Sequence, residues 1–117
     1  MASLSQAVLV VSPDPHLGTT RCALLQSAGM KSEACSNFAE ALQALGQQHW
    51  QAVLVCHSYS MQEKVRLLEQ ARQKQTRSVL LHNFQTDNSL PADAHFSVVN
   101  EPGELVKTVA QLLKRIS

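Results

Sequence analysis

The chain has 117 residues, of which 44% are hydrophobic and 16% charged, and its formal net charge is +1. That length supplies one domain with one real core, and the composition excludes a disordered tail. A nearly neutral chain sets up no large field, so neither nucleic acid nor a membrane surface is expected as a partner.

Ala7–Val11 is a continuous apolar run, stopped by Ser12-Pro13-Asp14-Pro15. Such runs suit parallel strands covered on both faces, and the prolines open a turn. Helical spacing follows, with Leu17, Arg21, Leu24, Leu25 and Ala28 on one side and Gly29 as its C-terminal cap. Lys31–Cys35 is short and alternating, a weaker strand. Asn37 with Glu40 three residues later caps a second helix, which turns Ala41, Leu42, Ala44 and Leu45 inward and ends at Gly46.

Residues 52–56 form the next strong apolar strand. Ser60 and Glu63 make a capping box, and the helix they open presents Val65, Leu68 and Ala71 to a core. Residues 78–81 and 95–99 read as the fourth and fifth strands. Pro102-Gly103-Glu104 opens a last helix carrying Leu105, Val109, Leu112, Leu113 and Ile116 at helical spacing. The polar stretch 83–94, interrupted by Pro91, leaves room for about one helical turn or a loop. It is therefore expected to be the least ordered part of the domain, with the fourth helix shortened or missing.

Strands alternating with helices predict an α/β fold with right-handed crossovers and helices on both faces. The expected architecture is a flavodoxin-like, five-stranded parallel sheet of order 2-1-3-4-5, built as one domain over residues 1–117. Sites in such sheets form at the C-terminal strand ends. Here those ends carry Ser12, Pro13 and Asp14, then Cys56 and His57, then His82 and Asn83, then Asn100 and Glu101.

Three segments carry a resemblance: Val8-Leu9-Val10-Val11 with its turn, Trp50 through Cys56, and Asn100-Glu101-Pro102. Together with the element order, they resemble a response-regulator receiver (CheY-like) domain over nearly the whole chain. The resemblance implies a Mg²⁺ site made by two acids after the first strand and a phosphoacceptor aspartate after the third. It also implies a hydroxyl after the fourth strand and a lysine after the fifth, followed by a cis peptide, here Glu101–Pro102. Yet Ser12 and Pro13 stand for the acid pair, with Asp14 one place late. Cys56 stands for the acceptor, His82 for the hydroxyl and Glu101 for the lysine. Mg²⁺ wants several oxygen ligands, proline has none in its side chain, and sulfur is a soft donor. Glu101 opposing a phosphoryl dianion costs on the order of several kcal/mol at an effective dielectric of about 20.

Cys56 has two readings, a small hydrophobe at a strand end or a reactive thiol, which needs a cation or helix N-terminus nearby. Glu101 would keep the proton on sulfur. Asp14, Cys56, His82 and Glu101 are zinc-ligand types, but no close pair such as CxxC or HxxxH anchors them, so no metal and no cofactor are expected. His16, His49, His57 and His95 read as turn or surface residues, and Trp50 as a core or rim residue. The odd, widely spaced Cys22, Cys35 and Cys56 argue against a disulfide framework and for the cytoplasm. No secretory leader is expected, and no apolar run is long enough to span a membrane.

These readings make the chain a degenerate receiver: not an enzyme but a phosphorylation-independent module that binds a protein partner in signalling. The exposed side of the last helix, with the 83–94 stretch, is the expected partner surface. Homodimerisation is left open. The alternatives are a phosphorelay receiver with unusual acceptor chemistry, or a ligand, metal or thiol site at the strand ends.

Overall fold

The computed structural model describes residues 7–82, 92–97 and 104–114. In chain order these form β1 (Ala7–Val11), α1 (Pro15–Ser27), β2 (Lys31–Cys35), α2 (Phe38–Gln47) and β3 (Ala52–Val55). They continue with α3 (Met61–Gln73), β4 (Arg77–His82), β5 (Ala94–Ser97) and α4 (Leu105–Lys114). All strand pairs are parallel, in the order β2-β1-β3-β4-β5. The expected flavodoxin-like sheet is present.

The three continuous apolar runs are the three central strands. β1, β3 and β4 are buried along nearly their whole length, whereas the edge strands β2 and β5 alternate. A central parallel strand meets helices on both faces, so both of its side-chain rows must be apolar. Val8, Val10, Ala52, Leu54, Val79, Leu81 and Phe96 pack on one face with Cys22 and Leu25 of α1 and Leu105, Val109 and Leu112 of α4. Leu9, Val11, Val53, Val55 and Leu80 face the other way, onto Ala41 and Leu45 of α2 and Leu67, Leu68 and Ala71 of α3. Trp50 is buried in this second core, and its Nε1–H donates to the Ala44 carbonyl at 3.0 Å.

Helix ends follow the capping chemistry. Asn37 Oδ1 accepts from the Glu40 N–H at 3.1 Å. The Ser60 N–H donates to Glu63 Oε1 at 3.0 Å, while the Glu63 N–H donates to Ser60 Oγ at 3.2 Å. α1 ends with Gly29 at φ 89°, which lets the Met30 N–H reach the Leu25 carbonyl at 3.0 Å. α3 ends in the same way, but Gln75 takes the left-handed position at φ 59° and the Thr76 N–H reaches the Ala71 carbonyl at 2.8 Å.

Several boundaries and faces differ from the sequence reading. Gly46 lies inside α2, which runs one residue further, to Gln47. A Cβ on Gly46 would sit 3.0 Å from Gln70 Nε2. Leu17 is 40% exposed and Ala28 is exposed, because α1 turns Gly18, Arg21, Cys22 and Leu25 inward instead. In α3 Leu68 and Ala71 face inward as expected, but Leu67 joins them in place of Val65, which is only half-buried. β4 gains Arg77 and His82 at its ends, and β3 stops at Val55. β5 starts one residue early, at Ala94, and residues 98–99 lie outside the described residues. So do residues 83–91, on which the shortened fourth helix was expected, and Glu101 and Pro102 of the expected cis peptide.

Candidate functional site at the strand ends

β1 delivers Ser12 to the end of the sheet, where it is buried. Its N–H donates to the Cys35 carbonyl at 3.1 Å, and its Oγ accepts from the Asp14 N–H at 3.2 Å. Pro13 is exposed and brings no donor atom. Asp14 is the N-cap of α1, and its carboxylate accepts from the His16 N–H at 2.9 Å. Pro15 follows at the first helical position, where its missing N–H costs nothing. The one acid in this turn therefore serves the helix end.

Cys56 follows β3. Its N–H donates to the Val11 carbonyl at 3.1 Å, so the β1–β3 ladder itself carries the residue to the strand ends. The residue is 0% exposed, and its Sγ lies 3.1 Å from Ser58 Oγ. Arg21 of α1, only 2% exposed, brings its guanidinium within hydrogen-bonding reach of the same thiol. Burial pushes the Cys56 thiol up. The Ser58 hydroxyl and backbone N–H, with the Arg21 charge, outweigh that effect and hold it below the usual thiol value. For Cys22 and Cys35 burial outweighs the single hydrogen bond each makes, with Ser32 and with the Asn37 backbone, and both thiols are raised.

The sequence reading placed Arg21 on the inner side of the first helix but did not connect it to Cys56. The available signal was a cation inside an apolar stripe, at the helical spacing 18, 21, 22, 25. Lys64, buried in the first turn of α3, was also missed. Tyr59 joins the loop after β3 to the loop after β2: its hydroxyl donates to the Ser36 carbonyl at 3.2 Å, and burial raises its pKa.

His82 ends β4 and is 8% exposed. It meets His95 of β5, with Nε2 and Nδ1 2.6 Å apart and the rings stacked at 4.8 Å. His95 is thus exposed, as expected for a surface residue, but it is engaged with the candidate pocket residue. Phe96, its neighbour on β5, points into the opposite core. Of the sequence-predicted residues, Ser12, Cys56 and His82 are buried at the strand ends. Pro13 and Asp14 point outward, and Glu101 lies outside the described residues. Among the described residues, no group of three or more His, Cys, Asp or Glu side chains could hold a metal ion. No helix among them is long and apolar enough to cross a membrane.

No protein-family model matches the chain, and no curated protein does either. Solved structures do. A CheY-like response regulator receiver domain protein from Methanospirillum hungatei JF-1 superposes with a TM-score of 0.82 at 15% identity, over 95% of each chain. The receiver domain of a Francisella response regulator gives 0.82 at 16% identity, over 97% of this chain and 100% of that one. The response regulator TrrA from Thermotoga maritima, in complex with Mg²⁺ and beryllofluoride, gives 0.79 at 20% identity, over 92% and 98%. The chain has the fold of CheY-like receiver domains.

Proposed function

We propose that this chain is a receiver-like module of signal transduction that works in the cytoplasm without aspartyl phosphate, binds a protein partner and catalyses no reaction. One observation carries this reading. The acceptor position is a fully buried thiol, held by Ser58 and faced by a resident cation, Arg21. A phosphorylation site of the receiver kind needs carboxylate oxygens for Mg²⁺. At the positions that the resemblance assigns to those oxygens stand a buried hydroxyl, a proline and a sulfur, and Asp14 is committed to its helix end. A guanidinium beside the acceptor position also opposes entry of a second cation.

The preserved scaffold supports the interaction role. A partner surface needs only the sheet and its helices, whereas a phosphorylation switch needs the ligands. The outer side of α4, with Lys107 and Gln111 exposed, is the preferred partner face. The test is an NMR titration of the full chain with Mg²⁺ and beryllofluoride, followed by incubation with acetyl phosphate. No shift around Cys56 and no mass gain are expected. A stoichiometric, base-labile mass gain would overturn the proposal.

The lowered thiol pKa favours one second reading, a reactive site at Cys56. Full burial opposes it, because a reagent must first open the pocket. Alkylation of the native chain separates the two readings. Half-buried Cys35 reacting before Cys56 supports the interaction module, and the reverse order supports the thiol site.

A further inference from the structure

One stripe of α3 borders the start of β5. Val65, Leu68, Glu69 and Arg72 recur at i, i+3, i+4 and i+7 and so share one side of the helix. With Thr76, Arg77, Ala92 and Asp93 they line an open cleft of about 730 Å³. Small-molecule sites run to roughly 300–1,000 Å³. Thr76 and Arg77 stand where β4 begins, so the cleft lies at the opposite end of the sheet from Ser12, Cys56 and His82. Its wall is partly apolar: Leu68 is buried in the second core, and Val65 and Ala92 are half-buried.

The polar groups of the cleft fall into two sets. Arg77 and Asp93 hold each other at 3.6 Å, and Asp93 also accepts from the Ser78 N–H at 2.9 Å. Glu69, Arg72 and Thr76 make no such pairs. Among the described residues, neither Glu69 nor Arg72, both exposed, has an ion-pair partner. Thr76 is only 3% exposed and is fixed by its N–H, which donates to the Ala71 carbonyl. Its hydroxyl has no hydrogen-bond partner among the described residues. A buried hydroxyl left unpaired costs stability, so one kept at a cleft wall points to a partner from outside the chain.

We propose that this cleft binds a free α-amino acid with a large apolar side chain. Glu69 and Arg72 stand three residues apart, adjacent on the helix surface, and offer one charge of each sign. An α-amino acid carries its own two charges on neighbouring groups. Its carboxylate suits the planar fork of Arg72, and its ammonium suits Glu69. The carboxylate also supplies the acceptor that the Thr76 hydroxyl lacks. The side chain lies on Val65, Leu68 and Ala92, and the volume leaves room for an aromatic ring. A simple anion would meet Glu69 as a like charge, and a simple cation would meet Arg72 so, which selects the zwitterion. The site stands whether or not the chain accepts phosphate or binds a protein.

Titration of the full chain with L-phenylalanine, followed through backbone ¹H–¹⁵N signals, tests the proposal. The signals of Leu68, Arg72 and Thr76 should shift together and saturate as a single site, while those of Ser12 and Cys56 stay in place. Phenethylamine, which lacks the carboxylate, and 3-phenylpropionate, which lacks the ammonium, should each bind about tenfold more weakly. Arg72→Gln, at an exposed position, should weaken phenylalanine about tenfold and leave phenethylamine unchanged. Thr76→Val keeps the shape and should weaken phenylalanine about threefold, while the free chain melts no lower than the parent. No saturable shift, shifts centred on Ser12 and Cys56, phenethylamine or 3-phenylpropionate binding as tightly as phenylalanine, or phenylalanine binding indifferent to Arg72→Gln would each overturn the proposal. So would a Thr76→Val chain that loses stability and keeps its affinity, since the hydroxyl would then serve the fold.

Discussion

Cys56 Sγ and Ser58 Oγ lie 3.1 Å apart inside the pocket at the end of β3, and the Arg21 guanidinium faces the same sulfur. The three cysteines should therefore titrate in a fixed order. Cys56 ionises first, because Cys22 and Cys35 are raised by burial. ¹³Cβ shifts of labelled cysteine against pH read this order directly, and Ser58→Ala should move Cys56 upward. A Cys56 that titrates together with Cys22 would refute the role given to Ser58 and Arg21.

The same shift sets a sign for stability. The folded thiol of Cys56 gives up its proton at a lower pH than the unfolded one, so between the two values the unfolded chain holds more protons. Unfolding free energy therefore gains from Cys56 as pH rises through that window, and the gain is absent below it. Cys22, Cys35 and Tyr59, raised by burial, act in the opposite sense at higher pH. Urea melts of the parent chain and Cys56→Ser over an alkaline series should diverge, with the parent gaining relative to the variant. Parallel curves would contradict the shift.

Asp14 can be separated as a helix cap from a metal ligand. Its carboxylate accepts from the His16 N–H, and an N-cap is worth about 1 kcal/mol. Asp14→Ala should lose about that much, while Asp14→Asn, an equally good cap, should lose almost nothing. Thermal melts measure both variants. A Mg²⁺-dependent rise in melting temperature that vanishes in Asp14→Asn would reassign the residue to a cation site.

Gln75 holds a left-handed backbone conformation, at φ 59°, that L-residues reach at a cost. Glycine takes it freely and keeps both hydrogen bonds that close α3. Gln75→Gly should raise stability by about 0.5–1 kcal/mol in a urea melt. Gln75→Ala, which keeps the strain, should not.

Asp93 fastens the start of β5 to β4. Its Oδ2 accepts from the buried Ser78 N–H at 2.9 Å, its own N–H donates to Ser78 Oγ at 3.2 Å, and Arg77 lies 3.6 Å from Oδ1. Removing the carboxylate strands a buried donor, so Asp93→Ala should cost about 1–3 kcal/mol. The half-exposed Arg77 pair adds little of this, and Arg77→Ala should cost well under 1 kcal/mol, roughly. Hydrogen exchange in β5 should accelerate in the first variant only.

What the sequence determined by itself was everything written in local chemistry. Three apolar runs, Ala7–Val11 among them, could only be strands buried on both faces. Asn37 with Glu40 and Ser60 with Glu63 announced two helix starts, and Gly29 announced a helix end. From these the sheet order followed, and with it the positions of Ser12, Cys56 and His82 at the strand ends. The tertiary structure alone decided what those residues meet. Gly46 looked like the end of the second helix, and α2 runs one residue further, to Gln47, because its last hydrogen bonds depend on the turn that follows. Arg21 looked like one polar interruption in an apolar stripe, and packing of α1 turned it onto Cys56. His82 and His95, thirteen residues apart, became partners because parallel pairing of β4 and β5 placed their side chains on one face. Periodicity and capping act over a few residues and leave their mark in the chain, whereas contacts between elements depend on register and packing angle, which no short segment encodes.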